Sequence, residues 1–159
     1  MRLTRFSDIG LRVLIYLERA GERVHPVTVA EIGSQFDIPL NHLVKVVGQL
    51  AKLGWIKATR GRNGGLRLLA DPALLTIGQV LRKLEGDEND LADCEGTDCA
   101  LKADCQLRGM LRVGMRAFYE AMDRYTLAEV TSGATGEQVI RMHRMFWADN
   151  KTESVATAV

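Results

Sequence analysis

The 159-residue sequence predicts a mainly α-helical fold with one small β-hairpin. Apolar residues recur every three or four positions along most of the chain, which is the period of an amphipathic helix. Two short β-prone runs flank a glycine-rich turn at residues 60–65, a pattern typical of a hairpin. A long helical stripe of apolar residues follows the last cysteine, from residue 106 onward. Together these features predict several short helices, a hairpin, and one long helix.

The first two helices are predicted near the N-terminus. Phe6 to Ala20 carries Ile9, Val13, Leu17 and either Ile15 or Tyr16 at helical spacing. The second helix spans residues 29–36, because Thr28 can cap it and Glu31, three residues later, completes a capping box.

A third helix is predicted from about residue 39 to Leu53, after a tight turn at Asp37-Ile38-Pro39. Its expected apolar face consists of Leu40, Leu43, Val44, Val47, Leu50 and Leu53. Its opposite face is polar and basic and consists of Asn41, His42, Lys45, Gln49 and Lys52. Two short helices joined by a tight turn, the second of them polar and basic outside, indicate a helix-turn-helix over residues 28–53.

The hairpin is predicted over residues 55–69, directly after the helix-turn-helix. Its tip carries Arg60, Arg62 and Asn63 among three glycines. Glycine tolerates positive φ and adds no bulk, so such a tip can approach a phosphate or a narrow groove closely. The position of the hairpin indicates a wing, although an ordinary exposed hairpin has the same local sequence. The fold class is therefore mainly α, a winged helix-turn-helix domain with a small β-hairpin wing plus a long dimerisation helix.

Charge is strongly segregated along the chain, although the net charge is only +1. Residues 38–70 contain no acid and six bases, whereas residues 85–98 contain seven acids and no base. A one-sided basic block usually faces phosphate, the alternative being a solvated helix face. We therefore expect double-stranded DNA as the partner. The predicted contacts are Thr28 to phosphate, Asn41, His42, Lys45 and Gln49 in the groove, and Arg60, Arg62 and Asn63 from the wing.

Several classes of protein are excluded by composition. No stretch approaches the 18 or so uninterrupted apolar residues of a membrane span, and no apolar run follows the first charged residues as in a signal peptide. We expect a soluble cytoplasmic protein without membrane contacts. No nucleophile–base pair or paired carboxylates stand out, so an enzyme is not expected. No partner can be identified for His25 or His143.

All three cysteines lie within twelve residues, at Cys94, Cys99 and Cys105. An odd number of cysteines in a reducing compartment argues against a disulfide framework. The spacings fit neither one helical face nor the close cysteine pairs typical of zinc sites. Three thiolates in an irregular loop suit an iron-sulfur cluster with one non-cysteine ligand, but another metal, or redox or incidental thiols, remain open.

The remaining segments complete the predicted organisation. Thr76 can cap a helix over residues 77–84 that Gly86 ends. We expect the DNA-binding domain at 1–75, a linker helix and cluster loop at 76–105, and a dimerisation helix at 106–131 that pairs with a second subunit. The C-terminal segment, 132–159, is expected to contain a helix at about 136–147 and to be disordered from Asp149.

Three motifs resemble a known family when taken in order: residues 1–8 (MRLTRFSD), the wing sequence at 60–65 (RGRNGG), and the cysteine spacing. They resemble the NsrR-type repressors, which are nitric-oxide-sensing members of the iron-sulfur, winged-helix regulator family that also contains IscR. The resemblance covers residue 1 to about 130. It implies a homodimeric repressor of palindromic operators whose cluster, 4Fe-4S preferred and 2Fe-2S possible, is held by Cys94, Cys99 and Cys105.

The same resemblance implies a fourth ligand. Relatives complete the site with a carboxylate near the N-terminus of the opposite subunit, which corresponds here to Asp8; the alternative is a first-turn carboxylate favoured by the helix dipole. IscR-type members use a histidine three residues after the last cysteine, where this chain has Arg108. The alternatives are an IscR-like regulator of iron-sulfur or redox status, a cluster carrier that does not bind DNA, and a winged-helix regulator with a zinc-bound or structural loop.

Overall fold

The computed structural model describes residues 2–20, 25–61, 64–86, 98–101 and 105–156, with side chains described up to residue 149. The elements in these residues are α1 (Arg5–Ala20), α2 (Val29–Phe36), α3 (Leu40–Lys52), β1 (Ile56–Thr59), β2 (Gly65–Leu68), α4 (Ile77–Glu85), α5 (Gln106–Met122), α6 (Leu127–Val130) and α7 (Ala134–Ala156). The predicted fold class, mainly α with one hairpin, is confirmed. Within the described ranges, no helix is long and apolar enough to cross a membrane.

Helix α1 lies at the centre of the main hydrophobic core. Its inward face includes Val13, Leu14 and Tyr16, so Tyr16 rather than Ile15 takes the core position. These side chains pack against apolar residues of α2, α3, the wing and α7. Helix α4 approaches α1 so closely that a Cβ at Gly10 would overlap the side chain of Leu84. One helix therefore contacts both the helix-turn-helix and the elements that follow the wing.

The helix-turn-helix forms where the sequence predicts it, because local signals fix both of its helices. Thr28 caps α2 through the predicted capping box with Glu31. The helix ends at Asp37, which adopts a left-handed conformation with φ of 50°. A Cβ at Gly33 would lie 3.1 Å from Leu40 Cδ2, so a side chain there would crowd the start of α3.

The wing is a two-stranded antiparallel hairpin that pairs Ile56 with Leu68 and Thr59 with Gly65. Its inner face buries Ile56 and Leu66 in the main core. The amide of Leu66 also donates to the carbonyl of Val27 at 2.7 Å, in an isolated bridge just before α2. This hydrogen bond attaches the wing to the start of the helix-turn-helix.

The buried face of α3 differs from the predicted one. Leu40 and Val44 are 53% and 57% exposed, whereas Val46, which was not assigned to that face, is 1% exposed. Leu43, Val47 and Leu50 are buried as expected. The buried arc is thus rotated towards Val46, which leaves Val44 on the outer surface of the helix.

A second, smaller core joins α4 and α5 around Ile77, Leu81 and Tyr119. Beside it, the Asp123 carboxylate accepts hydrogen bonds from Arg82, including one of 3.0 Å from Nη1, and one of 2.8 Å from the Thr76 hydroxyl. These contacts hold the start and middle of α4 against the end of α5.

The helices of the C-terminal third differ from the prediction in two places. Helix α5 ends at Met122, and the short helix α6 follows with its own capping box at Thr126. The expected long helix at 106–131 is therefore two helices. In contrast, α7 continues to Ala156, although the sequence predicts a helix only to about residue 147 and disorder from Asp149.

The rotation of α3 gives the first testable prediction. Val46→Ala removes buried methyl groups and should lower the free energy of unfolding by about 2 kcal/mol. The matched exposed variant, Val44→Ala, should change it by less than about 0.5 kcal/mol. Urea denaturation measures both. Equal losses in the two variants would contradict the observed burial.

The contact between Arg82 and Asp123 predicts a pH dependence of stability. The hydrogen bond from Arg82, supported by that from Thr76, lowers the pKa of the Asp123 carboxyl. Since the unfolded chain then binds this proton more tightly, the stabilisation is present above the ordinary aspartate pKa of about 4 and is lost as the pH falls through the folded-state pKa. Asp123→Asn should cost about 1 kcal/mol at neutral pH and weaken this acid sensitivity.

Chemical denaturation between neutral and strongly acidic pH measures this effect. Glu120→Gln, an exposed change on the same helix, is the control and should keep the wild-type pH profile. An unchanged profile in Asp123→Asn would show that the pair does not link folding to protonation.

Candidate DNA-binding surface and cysteine segment

The N-terminus of α2 is organised around a buried carboxyl group. Glu31 is 0% exposed. Its Oε2 accepts from the backbone N–H of Thr28 at 3.4 Å, and its own N–H donates to the Thr28 hydroxyl at 3.1 Å. Its Oε1 accepts from the Tyr16 hydroxyl at 2.6 Å. Burial first, and then the hydrogen bond and charge of Glu31, raise the pKa of Tyr16, so this hydroxyl remains a donor.

The same carboxyl group contacts the C-terminal helix. His143 Nδ1 of α7 lies 2.6 Å from Glu31 Oε1, and His143 is 3% exposed. Nothing local in the sequence identifies a partner for this histidine, because 112 positions separate the two residues. The sequence pattern predicts the capping-box role of Glu31 but not its contacts with Tyr16 and His143.

The outer face of α3 carries three of the four predicted groove contacts. Asn41, His42 and Lys45 are exposed, and Gln49 is half-buried at the edge of the face. The side-chain oxygen of Asn41 accepts from the backbone N–H of His42 at 3.0 Å. The outer face of α3 therefore carries polar donors and a cation, as the groove-facing surface of a recognition helix does.

Val44 lies on this outer face too, although the sequence pattern predicts it on the apolar face of the helix. Gly48 follows one turn later, and a Cβ there would meet nothing within 4 Å. Val44 is apolar and Gly48 has no side chain, so the polar, basic face of α3 includes an uncharged part with little projecting bulk. Such a surface suits close approach to base edges, where apolar side chains contact the thymine methyl group.

The wing carries further positive charge, which belongs to the basic run at residues 38–70. Arg60 is exposed, while Arg62 and Asn63 lie outside the described residues. A Cβ at Gly64 would overlap the carbonyl oxygen of Thr59, so the turn requires a residue without a side chain there. Lys57 and Arg67 are exposed and directly opposite each other on the two strands. Like charges in this position repel each other, and a phosphate between them would remove that repulsion.

The cysteine segment is described only in part. Cys94 lies outside the described residues; Cys99 is exposed and Cys105 half-buried, and both are free thiols. Cys105 immediately precedes α5 and makes no capping hydrogen bond through its side chain. Within the described ranges, no group of three or more histidine, cysteine or acidic residues could hold a metal ion. Free thiols are nevertheless suitable donors for iron.

Asp8 lies in the first turn of α1, where its Oδ1 accepts from Arg12 Nε at 3.0 Å. Its side chain is 47% exposed, so the carboxylate is accessible from outside the chain. Just before α1, the backbone N–H and the hydroxyl of Thr4 donate to Glu85 Oε1 at 2.8 and 3.0 Å. Since Glu85 ends α4, the start of α1 lies beside the point from which the chain continues towards the cysteines.

Helix α5 buries only Tyr119, although it has 17 residues. One side packs on the second core through Met115, Phe118 and Met122. Three large apolar side chains of α5 are exposed: Leu107 (62%), Met110 (66%) and Val113 (66%).

Comparison with known proteins identifies the relatives of this chain. The regulator NsrR of Bacillus licheniformis is 39% identical over 82% of this chain and 92% of its own length. The repressor NsrR of Streptomyces coelicolor is 37% identical over 86% and 92%, respectively. NsrR of Bacillus subtilis is 36% identical over 91% of this chain and 99% of its own. All three are named as transcriptional regulators or repressors.

Solved structures agree with the fold. The oxidised form of CymR from Staphylococcus aureus has a TM-score of 0.63 at 22% identity and covers 84% of this chain and 98% of its own. IscR of T. potens has a TM-score of 0.61 at 21% identity and covers 82% and 85%.

A sequence profile decides the classification. The profile of the Rrf2 family, described as iron-dependent transcriptional regulators, matches residues 3–133. With the NsrR relatives, it shows that the protein is a DNA-binding regulator and not an enzyme. The resemblance to NsrR-type repressors is thereby confirmed, and the chain belongs to the Rrf2 family.

Proposed function

We propose that this protein is a homodimeric repressor that senses nitric oxide through an iron-sulfur cluster and releases palindromic operators when the cluster is nitrosylated or lost. One observation carries the proposal: the similarity to NsrR regulators extends over both the winged helix-turn-helix and the cysteine segment. The exposed polar face of α3 and the basic wing supply the DNA-binding surface. We propose residues 1–75 as the reading domain and 76–105 as the sensing segment.

The proposed cluster ligands are Cys94, Cys99 and Cys105 of one subunit and Asp8 of the other. Free thiols at Cys99 and Cys105 are the donors that such a cluster requires. The exposed carboxylate of Asp8 is a harder and weaker ligand for iron than thiolate, so the iron it holds would be the most accessible to a small molecule. The 4Fe-4S form is preferred, and 2Fe-2S is the other candidate.

Binding by Asp8 would change a contact within its own subunit. In the present geometry Oδ1 is hydrogen-bonded to Arg12, one turn along α1. Such an exposed pair contributes little to stability, so its geometry can change at low cost. Because α1 packs on the helix-turn-helix, release of Asp8 from a cluster would change the distance between the two recognition helices of the dimer. A palindromic site requires that distance to be fixed.

We propose a second copy of this chain as the partner of the exposed side of α5. Leu107, Met110 and Val113 lie three positions apart and therefore form one stripe. A Cβ at Gly114 would meet nothing within 4 Å, so two such helices can approach closely there. Burying the stripe against its copy gives an isologous interface.

The sensing proposal is tested on anaerobically purified protein. Iron and sulfide are counted, and binding to a duplex selected from a random pool by the loaded protein is followed by fluorescence anisotropy during titration with nitric oxide. We expect a cluster per subunit and release of the duplex on nitrosylation. Cys99→Ser and Cys105→Ser should lose the cluster because serine is a poor ligand for it. Glu120→Gln is the control.

Two outcomes would contradict this proposal. Release by iron depletion or oxidation but not by nitric oxide would indicate a regulator of iron-sulfur or redox status instead. An Asp8→Ala protein with an unchanged cluster spectrum and an unchanged response to nitric oxide would remove Asp8 from the ligand set.

The dimer proposal has its own test. Met110→Glu places a charge in the apolar stripe and should convert the dimer to a monomer, because a buried unpaired charge costs several kcal/mol. Arg144→Glu introduces the same side chain at an exposed position of α7 and should remain dimeric. Sedimentation equilibrium distinguishes them. A dimeric Met110→Glu protein would place the interface elsewhere.

A further inference from the structure

Helix α7 begins just beyond the part of the chain that the Rrf2 profile matches, which ends at residue 133. It packs on α1 and α2, within the proposed reading domain of residues 1–75. A Cβ at Gly136 would lie 2.6 Å from Arg19 Nε of α1, so the two helices are in close contact there. One turn later Val139 is buried in the main core, and Met142 packs against it. Trp147 stacks on His25, with ring centroids 4.4 Å apart.

The central contact between α7 and α2 joins His143 to Glu31. Two lone pairs cannot face each other at 2.6 Å, so a proton lies between Nδ1 and Oε1. The pair is buried on both sides, with side-chain exposures of 4% and 0%. Among the described residues, His143 Nε2 has no hydrogen-bond partner. The ring therefore makes its one hydrogen bond to Glu31.

Glu31 transmits this contact to the DNA-binding surface. The carboxyl group that meets His143 through Oε1 meets the backbone N–H of Thr28 through Oε2. Thr28 is the N-cap of α2 and the proposed phosphate contact. Backbone N–H groups at a helix N-terminus point towards a bound phosphate, so their direction depends on how this turn is held.

We infer that α7 is an intramolecular clamp on the reading unit, in which His143 is a positioning residue. By holding Glu31, it fixes the N-terminal turn of α2 in the orientation that DNA binding uses. The affinity for DNA then depends on α7 being docked, although α7 itself contacts no DNA. This inference rests on the proposed use of Thr28 as a phosphate contact.

Two isosteres of histidine test the clamp. Asparagine places its amide nitrogen where Nδ1 lies and can still donate to Glu31, whereas glutamine places it at the position of Nε2. His143→Asn should therefore keep the clamp, and His143→Gln and His143→Leu should lose it. Met145→Ala, an exposed change on the same helix, is the control.

Two measurements are made on the full-length, cluster-loaded dimer. Fluorescence anisotropy with the duplex selected by the wild type should show binding about tenfold weaker for His143→Gln and His143→Leu and near wild-type binding for His143→Asn. Hydrogen exchange should be faster in residues 28–36 of the two weakened variants. If His143→Leu does not fold, the comparison of Asn with Gln still decides.

The outcomes separate this inference from the proposed function. Wild-type affinity in a folded His143→Gln protein, or equal losses in the Asn and Gln variants, would overturn the clamp. Faster exchange at 28–36 without weaker binding would also overturn it, because α7 would then only stabilise the fold. If the wild type selects no duplex, the proposed function fails. The rate of hydrogen exchange at residues 28–36 then shows by itself whether His143 holds the N-terminal turn of α2.

Discussion

The structure depends on how one buried carboxyl group is satisfied. A carboxyl with no solvent exposure is costly unless hydrogen bonds replace its water, and Glu31 obtains them from three separate parts of the chain. Tyr16 supplies one from α1, Thr28 one from the start of α2, and His143 one from α7. Because all three must converge on two oxygens, the positions of these helices are mutually constrained. The first helix of the helix-turn-helix is thus placed by polar contacts as well as by apolar packing.

A second constraint connects the reading unit to the elements beside the cysteines. Leu11 of α1 packs on both hydrophobic cores, and Gly10 allows α4 to approach closely. At the far side of α4, the contacts of Arg82 and Thr76 with Asp123 attach it to α5. The described part of the chain therefore provides one continuous packed route from the helix that follows Cys105 to the helix that supports α2 and α3. In the proposed function, a change at the cysteines would reach the DNA-binding surface through contacts of this kind or through the proposed partner subunit.

Sequence reasoning succeeded where the determining signals are local. The capping box at Thr28 and the cap at Thr76 predict the starts of α2 and α4, and the glycine-rich turn predicts the hairpin. It failed for the face of α3, because Val44 and Val46 are both compatible with an apolar arc and only packing against α1 selects Val46. It could not find the contact of His143 with Glu31, which depends on tertiary structure across 112 positions. The ligand role of the cysteines and of Asp8 stays a prediction.

The wing carries two like charges directly opposite each other, an arrangement that its own fold does not require. Lys57 and Arg67 face each other across the two strands, an arrangement that costs a few tenths of a kcal/mol or more in water. Nothing in the core requires basic residues there, since both side chains are exposed and the inner positions of the strands are apolar. A phosphate lying between the two exposed side chains would convert this repulsion into attraction. If the proposed contact of the wing with phosphate forms, relief of this repulsion would contribute to the free energy of DNA binding and add to its dependence on salt.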